Sequence, residues 1–266
     1  MSVLIVIPAR YASSRYPGKP LAALRGAGGG SRSLIERSWR AAREVQGIDR
    51  IVVATDDDRI RKAAEGFGAD VVMTSEHCRN GTERCAEAHQ VLGASHEIVV
   101  NLQGDAPLTP SWFIEDLVAA LKADPEAQLA TPVLRCDGKT LSDLLADRRA
   151  GRVGGTTAVF GAQGNALYFS KEVIPFLPDS YGPADPTPVF HHVGVYAYRA
   201  DVLASYPQWQ TGPLERLEGL EQLRFLENGR RIACVEVEAR DRLFWELNNP
   251  EDIPKIEAMM AEMGME

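Results

Sequence analysis

Val3-Leu4-Ile5-Val6-Ile7-Pro8-Ala9-Arg10-Tyr11-Ala12-Ser13-Ser14-Arg15-Tyr16-Pro17-Gly18-Lys19-Pro20-Leu21 decides how the rest of the chain is read. Residues 3–7 are a short run of branched apolar side chains. That is the pattern of a strand buried on both faces, as in a parallel sheet. The run stops at a loop holding three cations (Arg10, Arg15 and Lys19), two serines and a Pro-Gly turn. In open α/β sheets, ligands bind at the carboxyl ends of the strands. Cations, hydroxyls and backbone N–H groups gathered there suit a polyphosphate. The competing reading is a solvated surface loop that happens to be basic.

The first half then alternates. Apolar spacing predicts helices over 34–44, 58–66, 82–93 and 110–122, and strands over 51–54, 69–73, 98–102 and 128–134. Such alternation implies a mostly parallel central sheet with right-handed crossovers, the α/β class. Gly26 to Ser31 follows no strand directly and lacks both phosphate-binding glycine frames, so it reads as a flexible loop. The second half is less regular and predicts a smaller mixed β lobe. Residues 136–156 read as an exposed or mobile stretch, 157–160 and 166–170 as a hairpin, and 175–190 as a loop. Strands are predicted over 193–198 and 232–238, and helices over 214–228 and 250–263. In the first of these helices Leu214, Leu217, Leu220 and Leu223 form the expected buried stripe.

With 266 residues the chain is long enough for one α/β domain with a full core. We expect a single domain, 1–266, with a ligand-binding half over 1–134 and a second half over 135–266. A net charge of −8 argues against nucleic acid, whose phosphate backbone needs a basic face. No apolar run reaches membrane-spanning length, so no membrane partner is expected. No secretory signal is evident, and Cys78, Cys85, Cys136 and Cys234 are scattered without a Cys-x-x-Cys pair. Reduced thiols in a cytoplasmic protein are the expectation, with neither disulfides nor a zinc site.

Asp105 follows strand 98–102 directly and so falls on the same sheet edge as Arg10. A hard dication such as Mg²⁺ takes one or two protein carboxylates plus phosphate oxygens. An Asx turn before a helix is the alternative for Asp105-Ala106-Pro107. Gly81-Thr82-Glu83-Arg84 reads as a helix start, with Thr82 as cap and Glu83 in the first turn. Adjacent His191 and His192 point to opposite faces of a strand, which disfavours a shared metal. Glu215, Glu218 and Gln222 lie on one helical stripe, either solvated or facing a hydroxylated ligand.

The opening stretch resembles the 3-deoxy-manno-octulosonate (Kdo) cytidylyltransferase family of sugar nucleotidyltransferases, whose signature is Pro-Ala-Arg-Tyr-Ala-Ser-x-Arg-x-Pro-Gly-Lys-Pro-Leu. Further resemblances are Gly81-Thr82-Glu83-Arg84, Gln103-Gly104-Asp105, Ala166-Leu167-Tyr168-Phe169-Ser170, His192-Val193-Gly194-Val195-Tyr196 and Pro213 to Arg224. The resemblance implies a Rossmann-like nucleotidyltransferase fold that joins CTP to an acidic sugar and releases pyrophosphate. Under it, Arg10, Arg15, Lys19 and Asp105 are catalytic. Pro8, Ala9, Arg10, Ser13, Lys19, Gly81, Thr82, Arg84 and Gln103 hold the nucleotide. His192, Tyr196, Glu218 and Gln222 are candidate sugar contacts, and Mg²⁺ sits at Asp105 and Asn248. A homodimer and a place in lipopolysaccharide or capsule synthesis are also implied.

Two departures from the family matter. Asn248 stands where the family has a second aspartate ligand, and Thr157 stands where it has a lysine. A sister enzyme for another acidic sugar, such as amino-Kdo, and a CTP-binding protein without catalysis are the alternatives these departures raise.

Overall fold

A computed structural model describes residues 1–12, 16–153, 155–240, 242, 245, 247 and 249–266. In chain order the first elements are β1 (Val3–Ala9), β2 (Ala23–Arg25), β3 (Ser31–Ser33), α1 (Leu34–Arg43), β4 (Arg50–Thr55), α2 (Asp58–Gly66) and β5 (Asp70–Met73). Then come α3 (Gly81–Val91), β6 (Ile98–Leu102), α4 (Ser111–Ala123), β7 (Leu129–Asp137), α5 (Gly138–Arg149), β8 (Thr156–Phe160) and β9 (Ala166–Ser170). The last are β10 (Pro186–His192), β11 (Val195–Arg199), α6 (Ala200–Ser205), α7 (Pro213–Glu218), α8 (Leu223–Glu227), β12 (Ile232–Glu236) and α9 (Ile253–Glu262).

Two compact units result. The first comprises 1–115, 197–207 and 239–266, and the second 116–196 and 208–238. The first unit is built on the parallel strand order β5-β4-β1-β6. Val3 through Ile7 are completely buried, as their unbroken apolar run requires. Each such side chain contributes roughly 1.5–3 kcal/mol on leaving water. Helices α1, α2 and α3 pack on these strands. Their starts are set by polar caps: Ser33, Asp57 and Asn80 each accept a backbone N–H from the first turn. Because every strand here is parallel, the loops after β1, β4 and β6 open on one edge.

The second unit is mixed. β10 runs antiparallel to β7 and β8, β9 pairs antiparallel with β8, and β12 is parallel to β7. The chain is thus α/β, a parallel core flanked by helices, with a mixed β lobe from the second half.

Four local expectations are corrected. Residues 138–149 form α5, capped by Asp137, with Leu141 and Leu144 buried against Val189. Loop 175–190 gives way to β10 from Pro186. Gly26 to Gly30 is the turn of a β2–β3 hairpin, closed by the Gly26 N–H donating to Gly30 O at 2.9 Å. The single helix over 214–228 is two short ones, because Gly219 adopts φ +64° and ends α7. The leucine stripe fails with it: Leu217 is 83% exposed, and of the four leucines Leu223 alone is fully buried. The other buried residues of this stretch are polar: Glu215, Gln222 and Arg224.

Candidate active site

In the first unit, Pro8 and Ala9 end β1 and Arg10 follows, exposed at the sheet edge. Lys19 returns from the loop to place Nζ 2.6 Å from Oδ2 of Asp105, which lies just past β6. Their side chains are 15% and 23% exposed, so a cation and a carboxylate from loops far apart in sequence meet at one partly open point. The loop is closed at its base, where the Gly18 N–H donates to Tyr11 O at 2.9 Å. The Tyr11 ring lies beneath the Arg59 guanidinium, 3.3 Å from its centroid, and Arg59 is itself held by Asp57. That anchor was invisible in the sequence, since Arg59 sits on α2. Ser13, Arg15 and Asn248 lie outside the described residues.

Gly81 begins α3 at the same edge. A Cβ there would meet Asn101 Nδ2 at 3.2 Å and Pro8 at 3.4 Å, so any larger residue would have to press on the side chains at the ends of β1 and β6. The helix cap is Asn80, not Thr82: Asn80 Oδ1 accepts the Glu83 N–H at 2.9 Å, and its Nδ2 donates to Tyr206 O–H at 3.0 Å. Thr82 is wholly buried and hydrogen-bonded to the Tyr198 hydroxyl at 2.9 Å. Arg84 is also buried. Its Nη1 donates to Thr74 Oγ1 at 2.5 Å, and its Nη2 lies 3.3 Å from Asp56. The structure therefore brings Arg10, Lys19, Gly81, Gln103 and Asp105 to the strand ends, while the side chains of Thr82 and Arg84 brace the wall behind.

Among the described residues no three His, Cys, Asp or Glu side chains gather to hold a metal. A Mg²⁺ ion that takes most of its ligands from phosphate and water needs one or two carboxylates, and Asp105 is a donor of that kind. All four cysteines are free and buried, and burial pushes the thiols of Cys78 and Cys234 up to about 12.

The second unit holds a different cluster. His192 is buried, with its ring 4.9 Å from Phe169 and 5.6 Å from Tyr196. Its Nε2 lies 2.9 Å from Thr131 Oγ1. Burial drives its pKa down to about 3, so the ring is neutral. The Tyr196 hydroxyl donates to Gln222 Oε1 at 3.1 Å. Glu218 accepts from Ser170 Oγ at 2.6 Å and from the Lys171 N–H at 2.9 Å, which ties α7 to the end of β9. Arg224 makes a bidentate pair with Glu215, both contacts at 2.6 Å. Thr157 is buried, donating to Glu172 O at 2.6 Å, so its hydroxyl serves the fold.

Comparison with known proteins accords with this geometry. A family profile described as cytidylyltransferase matches residues 4–232. The chain is 46% identical over 264 residues to 3-deoxy-manno-octulosonate cytidylyltransferase of Maricaulis maris, covering 99% of each chain. It is 42% identical to the enzyme of that name from Chlamydia pneumoniae, over 95% of this chain and 91% of the relative. Among solved structures, CMP:2-keto-3-deoxy-manno-octonic acid synthetase complexed with CTP superposes with a TM-score of 0.83 at 32% identity, covering 99% of this chain and all of the other.

Proposed function

The chain belongs to the 3-deoxy-manno-octulosonate cytidylyltransferases, and from that membership we propose how its residues divide the work. It is a nucleotidyltransferase that transfers CMP from CTP to Kdo or a closely related 2-keto acid sugar, releasing pyrophosphate. The observation that carries the assignment of roles is the meeting of Lys19 and Asp105 at the strand ends.

In the reaction the anomeric hydroxyl oxygen of the sugar forms a bond to the α-phosphorus of CTP. The bond from that phosphorus to the bridging oxygen breaks, pyrophosphate leaves carrying the negative charge, and the hydroxyl proton is released to water. Arg10 and Lys19 lie where that charge builds, and with Arg15 they neutralise it. Pro8, Ala9, Ser13, Gly81 and Gln103 frame the nucleotide, with Thr82 and Arg84 holding α3 in place. Asp105, with Asn248, would hold Mg²⁺, which when bound supplies further neutralisation of phosphate charge. No protein nucleophile is needed. His192, Tyr196 and Gln222 contact the sugar, and Glu218 positions the chain beside them. Leu167, Phe176, Leu214 and Leu217, apolar and exposed on the second unit, support a homodimer. The product enters lipopolysaccharide or capsule synthesis in the cytoplasm.

Pyrophosphate release from CTP and Mg²⁺ is the test, with Kdo, sialic acid and no sugar in parallel. Release with Kdo alone is expected. Silence with Kdo, while CTP still raises the Tm, would sink the sugar assignment.

A further inference from the structure

Thr131 lies on β7 in the second unit, fully buried. Its hydroxyl has one hydrogen to give. Val195 O lies 2.8 Å from Oγ1 and Val193 O lies 3.3 Å away, and both are carbonyls that only accept. The hydrogen is therefore committed to the backbone. Toward His192, 2.9 Å away, Oγ1 has only lone pairs. His192 must donate from Nε2, which leaves Nδ1 as a bare acceptor in a neutral ring. Among the described residues Nδ1 has no hydrogen bond. Gln222 shows the opposite polarity: its Oε1 is taken by the Tyr196 hydroxyl, while its Nε2 donor is enclosed without a partner.

We propose that Thr131 is a positioning residue that locks His192 in its Nε2–H tautomer, so that His192 meets the sugar as an acceptor and reads a hydroxyl, never the carboxylate. Gln222 then offers the donor that a sugar oxygen requires. This rests on the placement of the sugar at His192. It explains why a buried histidine beside an anionic substrate has no charge to offer: its task is to count hydrogens, not to balance charge.

The experiment combines a spectrum with kinetics. Long-range ¹H–¹⁵N correlation on ¹⁵N-histidine-labelled protein at pH 7 distinguishes both tautomers from imidazolium. The His192 signals are assigned by their loss in His192→Gln. The wild type shows Nε2–H. In Thr131→Val, an isosteric change that suits a strand, the Nδ1–H form appears. KM for Kdo then rises about tenfold, the worth of one hydrogen bond, with KM for CTP unchanged. Thr131→Ser, which keeps the hydroxyl, restores both readings and guards against a misfolded valine variant. Nδ1–H or imidazolium in the wild type overturns the proposal, as does an unaltered KM for Kdo in a folded Thr131→Val. If the wild type releases no pyrophosphate with Kdo, the sugar assignment fails, and the spectrum alone decides the tautomer.

Discussion

Two ion pairs in this molecule have nearly the same contact distance and opposite characters. Lys19–Asp105, in the first unit, joins two loops at 2.6 Å with both side chains partly in water. Arg224–Glu215, in the second, is a bidentate pair at 2.6 Å whose side chains are 1% and 9% exposed. A pair partly in water is held less tightly than a sealed one and opens more readily when phosphate or metal competes for its members. A buried pair cannot open without stranding a charge. Contact length alone does not separate a charge pair open to ligands from one sealed inside the fold; access to water does.

The largest effect that would break this comparison is on activity. Asp105→Ala should lower the rate of pyrophosphate release about 1,000-fold while moving unfolding free energy by no more than about 1 kcal/mol. A variant that keeps its rate ends the metal-assisted picture. Glu215→Ala should do the reverse, costing about 3–5 kcal/mol in urea unfolding because Arg224 is left buried and unpaired. Replacing both members with apolar residues should recover most of that loss, and failure to do so would mean the pair contributes more than charge balance.

Acid sharpens the contrast. An unfolded His192 takes a proton near the ordinary value of 6.5, whereas the folded ring refuses it until about 3. Between those limits the unfolded state binds more protons, so stability falls as pH is lowered. About 2 kcal/mol should be gone at pH 5 relative to pH 7. The dependence should flatten in His192→Gln, read from Tm against pH; an identical slope in both proteins would refute the buried neutral ring. The smallest effect concerns an exposed leucine of the second unit, Leu217. Leu217→Ser should change stability by less than about 0.5 kcal/mol, yet weaken self-association in sedimentation. Unchanged association would remove Leu217 from the proposed dimer contact.

The first unit was legible because its central strands, β1 and β6, are buried on both faces. An apolar run such as 3–7, or 98–102 with Asn101 as its one polar member, marks its own end, and Arg10 and Asp105 follow closely. Residues 213–224 misled for the converse reason. Leucines spaced one turn apart state that a helix has a face, not that the face is inward. The Glu215–Arg224 pair, which turns that face outward, joins residues on two different helices. Gly219 was the available warning, since glycine inside a helical pattern often marks its end. α5 was missed because its charges outnumber its leucines, although Leu141, Leu144 and Leu145 carry the spacing. The cap of α3 was misplaced by two residues, although Asn80 with Glu83 three positions on is an ordinary start signal. Nothing linear in the sequence ties Thr131 to His192, or Arg59 to Tyr11.

The clasp beneath the first loop, Gly18 N–H to Tyr11 O with Arg59 over the Tyr11 ring, has an entropic meaning. A loop whose two ends are already tied has lost much of its chain entropy during folding, before any triphosphate arrives. The clasp lowers the entropy still to be lost on binding, and should therefore tighten the capture of CTP without entering the bond-making step.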